Sequence, residues 1–321
     1  MISVVIEAYN EASGLGTVGD TMEALALQDY PLDQINVILV GSARQVEEWQ
    51  QLGKAMPFAS VRSVVCDGGN YYSFKNAGAR ASNDDIIAFT DSDVKPDPQW
   101  LSSIVQTIDS GADLSVGISR FQGADGAGLL PHLILSASAI NWGWVLGRKQ
   151  GNSYRPNGFA AHNVAISAKA FRRVQFRTDY GRTCSSMLLF QDARDAGMRV
   201  AVSRNQRVAH FVSIRVLLAI NLMIAYEIVT ARRMRSRLPN GWTSRFGILE
   251  PLICLLLHST FDVPQAYRYL EALGIARARR FLVVLTAAIF SVGLRSIQAA
   301  GMCWAIVAPA QMRQWAERAV C

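Results

Sequence analysis

The strongest constraint on the fold is a rhythm in the first ninety residues, where short aliphatic runs alternate with helix-like stretches. Ile2–Ile6, Ile35–Val40, Val61–Val65 and Ile86–Thr90 are continuous and rich in β-branched residues, without polar alternation. Strands of that kind are buried on both faces, as in a parallel sheet. Between them, Thr21–Gln28, Val46–Lys54 and Ser73–Ala81 read as helices. The repetition predicts an α/β fold: an open, mostly parallel, doubly wound sheet that binds ligands at the carboxyl ends of its strands.

Further along, residues 121–160 run from Gly-rich to apolar to Gly/Asn/Pro-rich, which reads as a long connection and a mobile loop. Val164–Phe171 and Met187–Gly197 return to regular structure, the second a helix ending at Gly197. Arg199–Val202 and Arg207–Phe211 read as a last strand and its exit. The expected division is a domain over 1–212 and a basic, apolar helical region over 213–321.

Charge follows that division. Residues 201–321 hold 15 Arg against 5 Asp or Glu, so the first 200 residues carry about −3 of the overall +7. A basic, apolar rear half points to anionic lipid rather than nucleic acid, which calls for basic residues interleaved with aromatics. Phe281–Pro309 is the best candidate span, and Ile248–Leu257 is shorter than the ~20 residues a span needs. The Arg277, Arg279, Arg280 cluster puts the start of the longer segment on the cytoplasmic side. Core helices of a small subdomain are the alternative. Met1 leads directly into the first strand without a signal-like segment, and five scattered cysteines show no CxxC spacing. The expected location is the cytoplasmic face of the cell membrane.

The chemistry concentrates at the end of the fourth strand, in Phe89-Thr90-Asp91-Ser92-Asp93-Val94 followed by a Pro-Asp-Pro-Gln-Trp-Leu turn. Alternate residues of an extended segment point the same way, so Asp91 and Asp93 can face one group. Two hard carboxylates at a strand end suit a divalent ion that bridges a diphosphate. A solvated acidic turn is the alternative for a bare DxD.

Four blocks in this order resemble glycosyltransferase family 2, whose catalytic domain has the GT-A fold. They are Ser3–Glu11, Lys75–Arg80, Asp91–Asp93, and His162–Ala165 leading to Lys169–Phe171. The resemblance covers about residues 1–212. It implies a metal-dependent inverting transfer of a sugar from a nucleoside diphosphate donor to a glycan or lipid-linked acceptor. It also implies that Ala8, Tyr9 and Glu11 hold base and ribose, and that Lys75 lies near the nucleotide. Asp91 and Ser92 would line the donor, and Asp93 and His210 would hold Mn²⁺ or Mg²⁺. The alternatives for Lys75 and His210 are a helix-surface lysine and a structural histidine.

Two departures stand out. The second strand ends in Gly41-Ser42-Ala43, where the family has an acidic turn. Ser42 and Glu7 are the candidate replacements, with a surface strand end the alternative for Glu7. The family's Glu-Asp pair, whose carboxylate serves as general base, falls at Ser185-Ser186. Asp179 is the geometric substitute, a solvated loop residue otherwise; Asp192 lies too far along its helix. A binding-only homologue lacking the base is the rival reading. A nucleotidyltransferase is a third, weakened by the lack of a Gly-rich phosphate loop. Trp142 and Trp144 read either as a sugar or lipid site or as packing residues.

Overall fold

The computed structural model describes residues 1–8, 11, 16–49, 56–179, 184–211, 213–234 and 241–318. These form two compact units. The first comprises Met1–Arg120, Val145–Asp179 and Ser185–Phe211; the second comprises Phe121–Trp144, Tyr180–Cys184 and Val212–Cys321.

The first unit is built on β1 (Ile2–Glu7), β2 (Ile35–Gly41), β3 (Ser60–Val65) and β4 (Ile86–Asp91), with α1 (Val18–Ala26), α2 (Ala43–Trp49) and α3 (Tyr71–Ala81) between them. β3, β2, β1 and β4 lie side by side and parallel. Every residue of β1 and β4 is buried, as their uninterrupted apolar character requires. One face carries Val4, Ile6, Val37, Leu39 and Ala88 into a core with Met22, Leu25, Trp100 and Leu101. The other receives α3. There a Cβ on Gly78 would sit 2.4 Å from Val5 Cγ1, so only glycine permits this approach.

Beyond β4 the sheet stops being parallel. The chain continues through β5 (Val94–Pro96), α4 (Trp100–Asp109), β6 (Leu114–Phe121), the hairpin β7 (Leu146–Gln150) and β8 (Ser153–Pro156), and β9 (Val164–Ser167) with the short α6 (Ala168–Phe171). It then forms α7 (Cys184–Asp195) and β10 (Val200–His210). The order is β3-β2-β1-β4-β9-β6-β10-β5; β9 is antiparallel to β4 and β6, and β5 is antiparallel to β10. The mostly parallel expectation therefore holds for one half of the sheet. The segments read as a strand and an exit are one eleven-residue strand, β10.

Residues 121–160 are not a long loop. They contain the hairpin and α5 (Leu129–Trp142), a 14-residue helix. Its Ser136 and Ser138 are buried and bond their own backbone at His132 O and Ile134 O, so polar positions coexist with an inward face.

α5 belongs to the second unit with α8 (Ile214–Met234), α9 (Glu250–Ala272), α10 (Arg277–Val307) and α11 (Pro309–Arg318). Two segments, Trp242–Ala272 and Arg277–Val307, are long and apolar enough to cross a membrane by length and composition. The first corrects the reading of Ile248–Leu257 as a short apolar segment, since the helix runs on to Ala272 past His258 and Asp262. It can do so because Asp262 is buried in a two-point pair with Arg295, 2.8 Å at each contact, and accepts from Ser291 at 2.6 Å. Leu252, Leu256 and Phe261 of α9 and Leu282, Leu285, Ile289 and Val292 of α10 are exposed.

Candidate active site

The parallel strands deliver two acids to one place. Glu7 ends β1 and Asp91 ends β4, and they are direct partners in the ladder. Side chains in register on adjacent parallel strands share a face, so both lie on the α3 side of the sheet. Glu7 is wholly buried, which rules out the surface strand end.

Asp91 is buried and held from α3. Lys75 Nζ lies 2.5 Å from its Oδ1 and also donates to the Thr90 carbonyl at 3.2 Å. Tyr71 Oη is 2.9 Å from both carboxylate oxygens. Asn70 caps the start of this helix, accepting from the Tyr72 and Ser73 N–H groups, which sets Tyr71 and Lys75 one turn apart on the inner face. Lys75 is 0% exposed and cannot be an ordinary helix-surface lysine. Burial alone works against a charged Asp91. The Lys75 ammonium more than offsets it and holds the carboxyl below the usual carboxylate range.

The turn after β4 is clamped from two sides. Thr21 Oγ1 on α1 lies 2.8–3.1 Å from the carbonyls of Asp91, Ser92 and Val94. A Cβ on Gly16 would stand 2.8 Å from Asp93 Cα, so the loop before α1 presses directly on the DxD backbone. On the other side β5 pairs with the end of β10, with Val94 opposite His210 and the Phe211 N–H donating to Asp93 O at 3.0 Å.

That pairing brings His210 Nε2 to 3.8 Å from Asp93 Oδ1. His210 Nδ1 lies 2.6 Å from the Phe211 carbonyl. A carbonyl only accepts, so Nδ1 donates there, and Nε2 is the nitrogen on the Asp93 side. His162 joins the cluster: its ring centroid is 4.7 Å from that of His210, edge to face. One ligand atom from each of Asp91, His162 and His210 lies within 4.8 Å of the others. Burial first, and His210 second, push the His162 pKa down to about 3 against the pull of Asp91, so its ring is neutral at pH 7. The donor set of carboxylate oxygens and imidazole nitrogens fits a divalent ion such as Mn²⁺.

Ala8, Glu11 and Ser42 are gathered by a residue the sequence did not single out. Gln45 Nε2 donates to Ala8 O and to Glu11 Oε2, both at 3.2 Å, and Gln45 Oε1 accepts from Ser42 Oγ at 3.0 Å. Glu11 also accepts from the Val18 N–H at 2.8 Å. Burial raises its pKa against those bonds. Tyr9 lies outside the described residues.

The acceptor side is different. Ser185 Oγ donates to Arg177 O at 2.6 Å, and Asp192 pairs with Arg177 at 3.0 Å, so both sustain a helix junction. Asp179 is exposed. Its neighbour Thr178 is tethered through its carbonyl to Asn70 Nδ2 at 2.7 Å, immediately before Tyr71. Trp142 packs on Phe121 in the core of the second unit. A cavity of about 490 Å³ beside Tyr30, Asp85 and Asp109 opens near the amino end of β4, away from these groups.

The family model for glycosyl transferase family 2 matches residues 3–176, just over half of the chain. The chain belongs to that family. Its DxD, Lys75 and His162 blocks all lie within the matched span. The glycosyltransferase AglE of Haloferax volcanii is 32% identical over 124 residues. That match spans 37% of this chain and 40% of AglE. Among solved structures, the mannosyltransferase PcManGT of Pyrobaculum calidifontis, in complex with GDP-Man and Mn²⁺, is similar with a TM-score of 0.53 at 18% identity. The similarity covers 99% of this chain and 83% of that one. S. aureus TarS 1-349 in complex with UDP-GlcNAc has a TM-score of 0.50 at 13% identity, covering 97% and 91%. At these identities the likeness is one of fold, and it is the GT-A fold.

Proposed function

We propose that this family 2 chain transfers a sugar from a nucleoside diphosphate donor to an acceptor hydroxyl, with inversion and with a divalent metal, Mn²⁺ or Mg²⁺. The observation that carries the reading is the facing of Asp93 and His210 across the β5–β10 ladder at 3.8 Å. It stands beside a DxD turn clamped by Thr21 and Gly16.

Asp93 and His210 would hold the ion, which supplies positive charge to the departing diphosphate. Asp91, kept ionised by Lys75, orients the ribose or shares the ion. Glu7 sits beside it at the end of β1, while Ala8, Glu11 and Ser42 form the edge on which the base rests. Asp179 takes the acceptor proton. Its support is position, because the Asn70–Thr178 tether brings it to the start of the helix that bears Tyr71 and Lys75. The acceptor is a glycan or lipid-linked hydroxyl at the cytoplasmic membrane face. The exposed apolar stripes of α9 and α10 and the basic α9–α10 turn support that assignment.

A binding-only homologue is the second reading, favoured by the absence of a carboxylate at Ser185-Ser186. Donor hydrolysis separates the two without a known acceptor. A panel of UDP-, GDP- and dTDP-sugars is incubated with wild type and Asp93→Ala, with Mn²⁺ or with chelator. Metal-dependent release of one nucleoside diphosphate, lost in the variant, is the expected result. Thermal stabilisation by nucleotide without turnover in the presence of any acceptor extract supports the binding-only reading. No release and no stabilisation overturns the donor site itself.

A further inference from the structure

The two segments long enough to cross a membrane form an antiparallel helical hairpin. α9 and α10 are joined by a turn at residues 273–276, and midway along them Asp262 is held by Arg295 and Ser291. α10 exposes one face along its whole length. Phe281, Leu285, Ile289, Val292 and Val307 recur there at helical spacing, while Val283, Ala287, Ser291, Gln298 and Ala305 line the opposite, buried side. From Phe281 to Val307 that face runs about 40 Å at 1.5 Å per residue, longer than the ~30 Å hydrocarbon core of a bilayer.

Basic residues stand at both ends of the hairpin. Arg277, Arg279 and Arg280 follow the turn, and residues 228–249, which lead into α9, contain five Arg and no Asp or Glu. This second group belongs to the far end, because Val229 of α8 and Cys254 of α9 share a cluster with Met302 and Ala305 of α10. Arg277 at one end and Arg245 at the other are exposed. An upright hairpin would put one group on the outer side, against the tendency of arginine to stay inside. The chain connections argue the same way. α5 lies in residues 121–144, which the first unit flanks in the chain on both sides, and it packs on the turn end of α10. His132 Nε2 is 2.8 Å from Thr286 Oγ1 there, and Ser136 Oγ lies 3.3 Å from Val283 O. Insertion turn-first would carry α5 into the bilayer as well. α8 runs parallel to α10, with Gln298 Nε2 donating to Asn221 Oδ1 at 2.7 Å and Ala225 beside Gly301. The start of α8 is thus level with the middle of α10. Insertion in the reverse sense would draw the end of β10, four residues before Ile214, to the membrane centre.

We propose that α9 and α10 do not cross the bilayer but lie in the plane of one anionic leaflet, with both arginine groups at the same headgroup layer. The proposal rests on the membrane reading above and specifies its geometry and its partner, the anionic phospholipids of a single leaflet. The physics is that of an amphipathic surface helix. Its apolar face sinks about 5–10 Å into the acyl boundary while basic residues meet the lipid phosphates. Asp262 and Arg295 neutralise each other on the buried side, so neither charge is presented to hydrocarbon.

Spin labels report the depth. Leu282→Cys, Ile289→Cys and Val307→Cys on α10 and Leu256→Cys on α9 are labelled in full-length protein whose native cysteines are replaced by alanine. Each is bound to phosphatidylglycerol-containing vesicles. Power saturation with oxygen and a nickel chelate is expected to place all four at one shallow depth, about 5–10 Å below the phosphates. Ile289 and Leu256 at a depth of ~15 Å, with Leu282 and Val307 near opposite surfaces, would show an upright hairpin and overturn the proposal. A second measurement keeps the native cysteines and holds even where the cysteine-free protein fails to fold. Ala276→Cys and Ala310→Cys, both at exposed positions and one beyond each end of α10, are produced in a bacterial host. Peptide-resolved mass spectrometry reads their reaction with a membrane-impermeant maleimide. Both should be protected in intact spheroplasts and modified after lysis. Modification of either one in intact spheroplasts overturns the in-plane geometry and leaves membrane attachment standing. A protein that stays soluble in cells and binds no vesicles overturns both.

Discussion

Lys75 and Asp91 form an ion pair in which both side chains are almost completely removed from solvent, at 2.5 Å. Neither charge is tolerable there alone, so each residue exists in its charged form because of the other. Replacing Lys75 with Met strands the carboxylate and is expected to cost about 3–5 kcal/mol at neutral pH. The sign of the pH dependence follows. In wild type the Asp91 pKa is depressed, so the contribution of the pair is fully present above the ordinary carboxylate value of about 4 and lost as pH falls below it. In Lys75→Met burial dominates and the pKa rises, so the deficit relative to wild type should shrink on acidification. Urea midpoints at pH 7.5 and 4.5 check this; a deficit that is equal at both values speaks against a charged Asp91.

Gly78 links this pair to the sheet. A methyl group there would collide with Val5 and with Val40 Cγ2 at 2.8 Å. Gly78→Ala should therefore lift α3 from β1 and β2, costing about 1–3 kcal/mol as overpacking does. Since α3 carries Lys75 and Tyr71, donor hydrolysis should fall further than the loss of folded protein explains. Activity per folded molecule, measured well below the melting temperature, tests the link; unchanged specific activity would mean the helix shifts without its side chains.

The four parallel strands and the DxD turn were legible because their signals are local. An unbroken apolar run is enough to bury a strand on both faces, and two acids at its end are in register by pleat alone. Lys75 was not legible as a buried residue, because nothing in Ser73–Ala81 shows that a carboxylate 16 positions later will neutralise it. Gln45 and His162 were missed as hubs for a similar reason. Each gathers partners from separate segments, and a lone histidine or glutamine carries no spacing signal. The apolar length of α9 was underestimated because the reading halted at His258 and Asp262, whose company in Arg295 and Ser291 belongs to another helix.

Asn163 offers a stability test independent of catalysis. It accepts from the Trp100 indole and Gln206 and donates to Ser119, all in the interior. Asn163→Ala leaves those groups short of partners and opens a void, with an expected loss of about 2–4 kcal/mol. Gly117→Ala should cost a similar amount by displacing the same amide. Their combination should fall well short of the sum, because both act on one set of bonds. Chemical denaturation of the four proteins measures that coupling, and simple additivity would show that these bonds are not a unit.

The proposed membrane face yields separable predictions for its two physical components. On α10, Leu282, Leu285, Ile289 and Val292 recur at helical spacing and stay exposed, which is apolar surface suited to hydrocarbon. At its start Arg280 is engaged with Ile275 O and Glu271, whereas Arg277 is exposed. Arg279 reaches Gly126 O through one guanidinium nitrogen. A basic residue near an anionic surface contributes about 1 kcal/mol. Arg277→Gln combined with Arg279→Gln should therefore weaken binding to phosphatidylglycerol-containing vesicles about 30-fold, and high salt should act the same way on wild type. Binding to neutral vesicles should be unchanged by either treatment, because only the apolar stripe operates there. Leu285→Ser with Ile289→Ser should reverse the pattern by lowering binding to both vesicle types. Co-flotation on a density gradient reads all four conditions, and wild type that floats with neither vesicle rules out the membrane assignment.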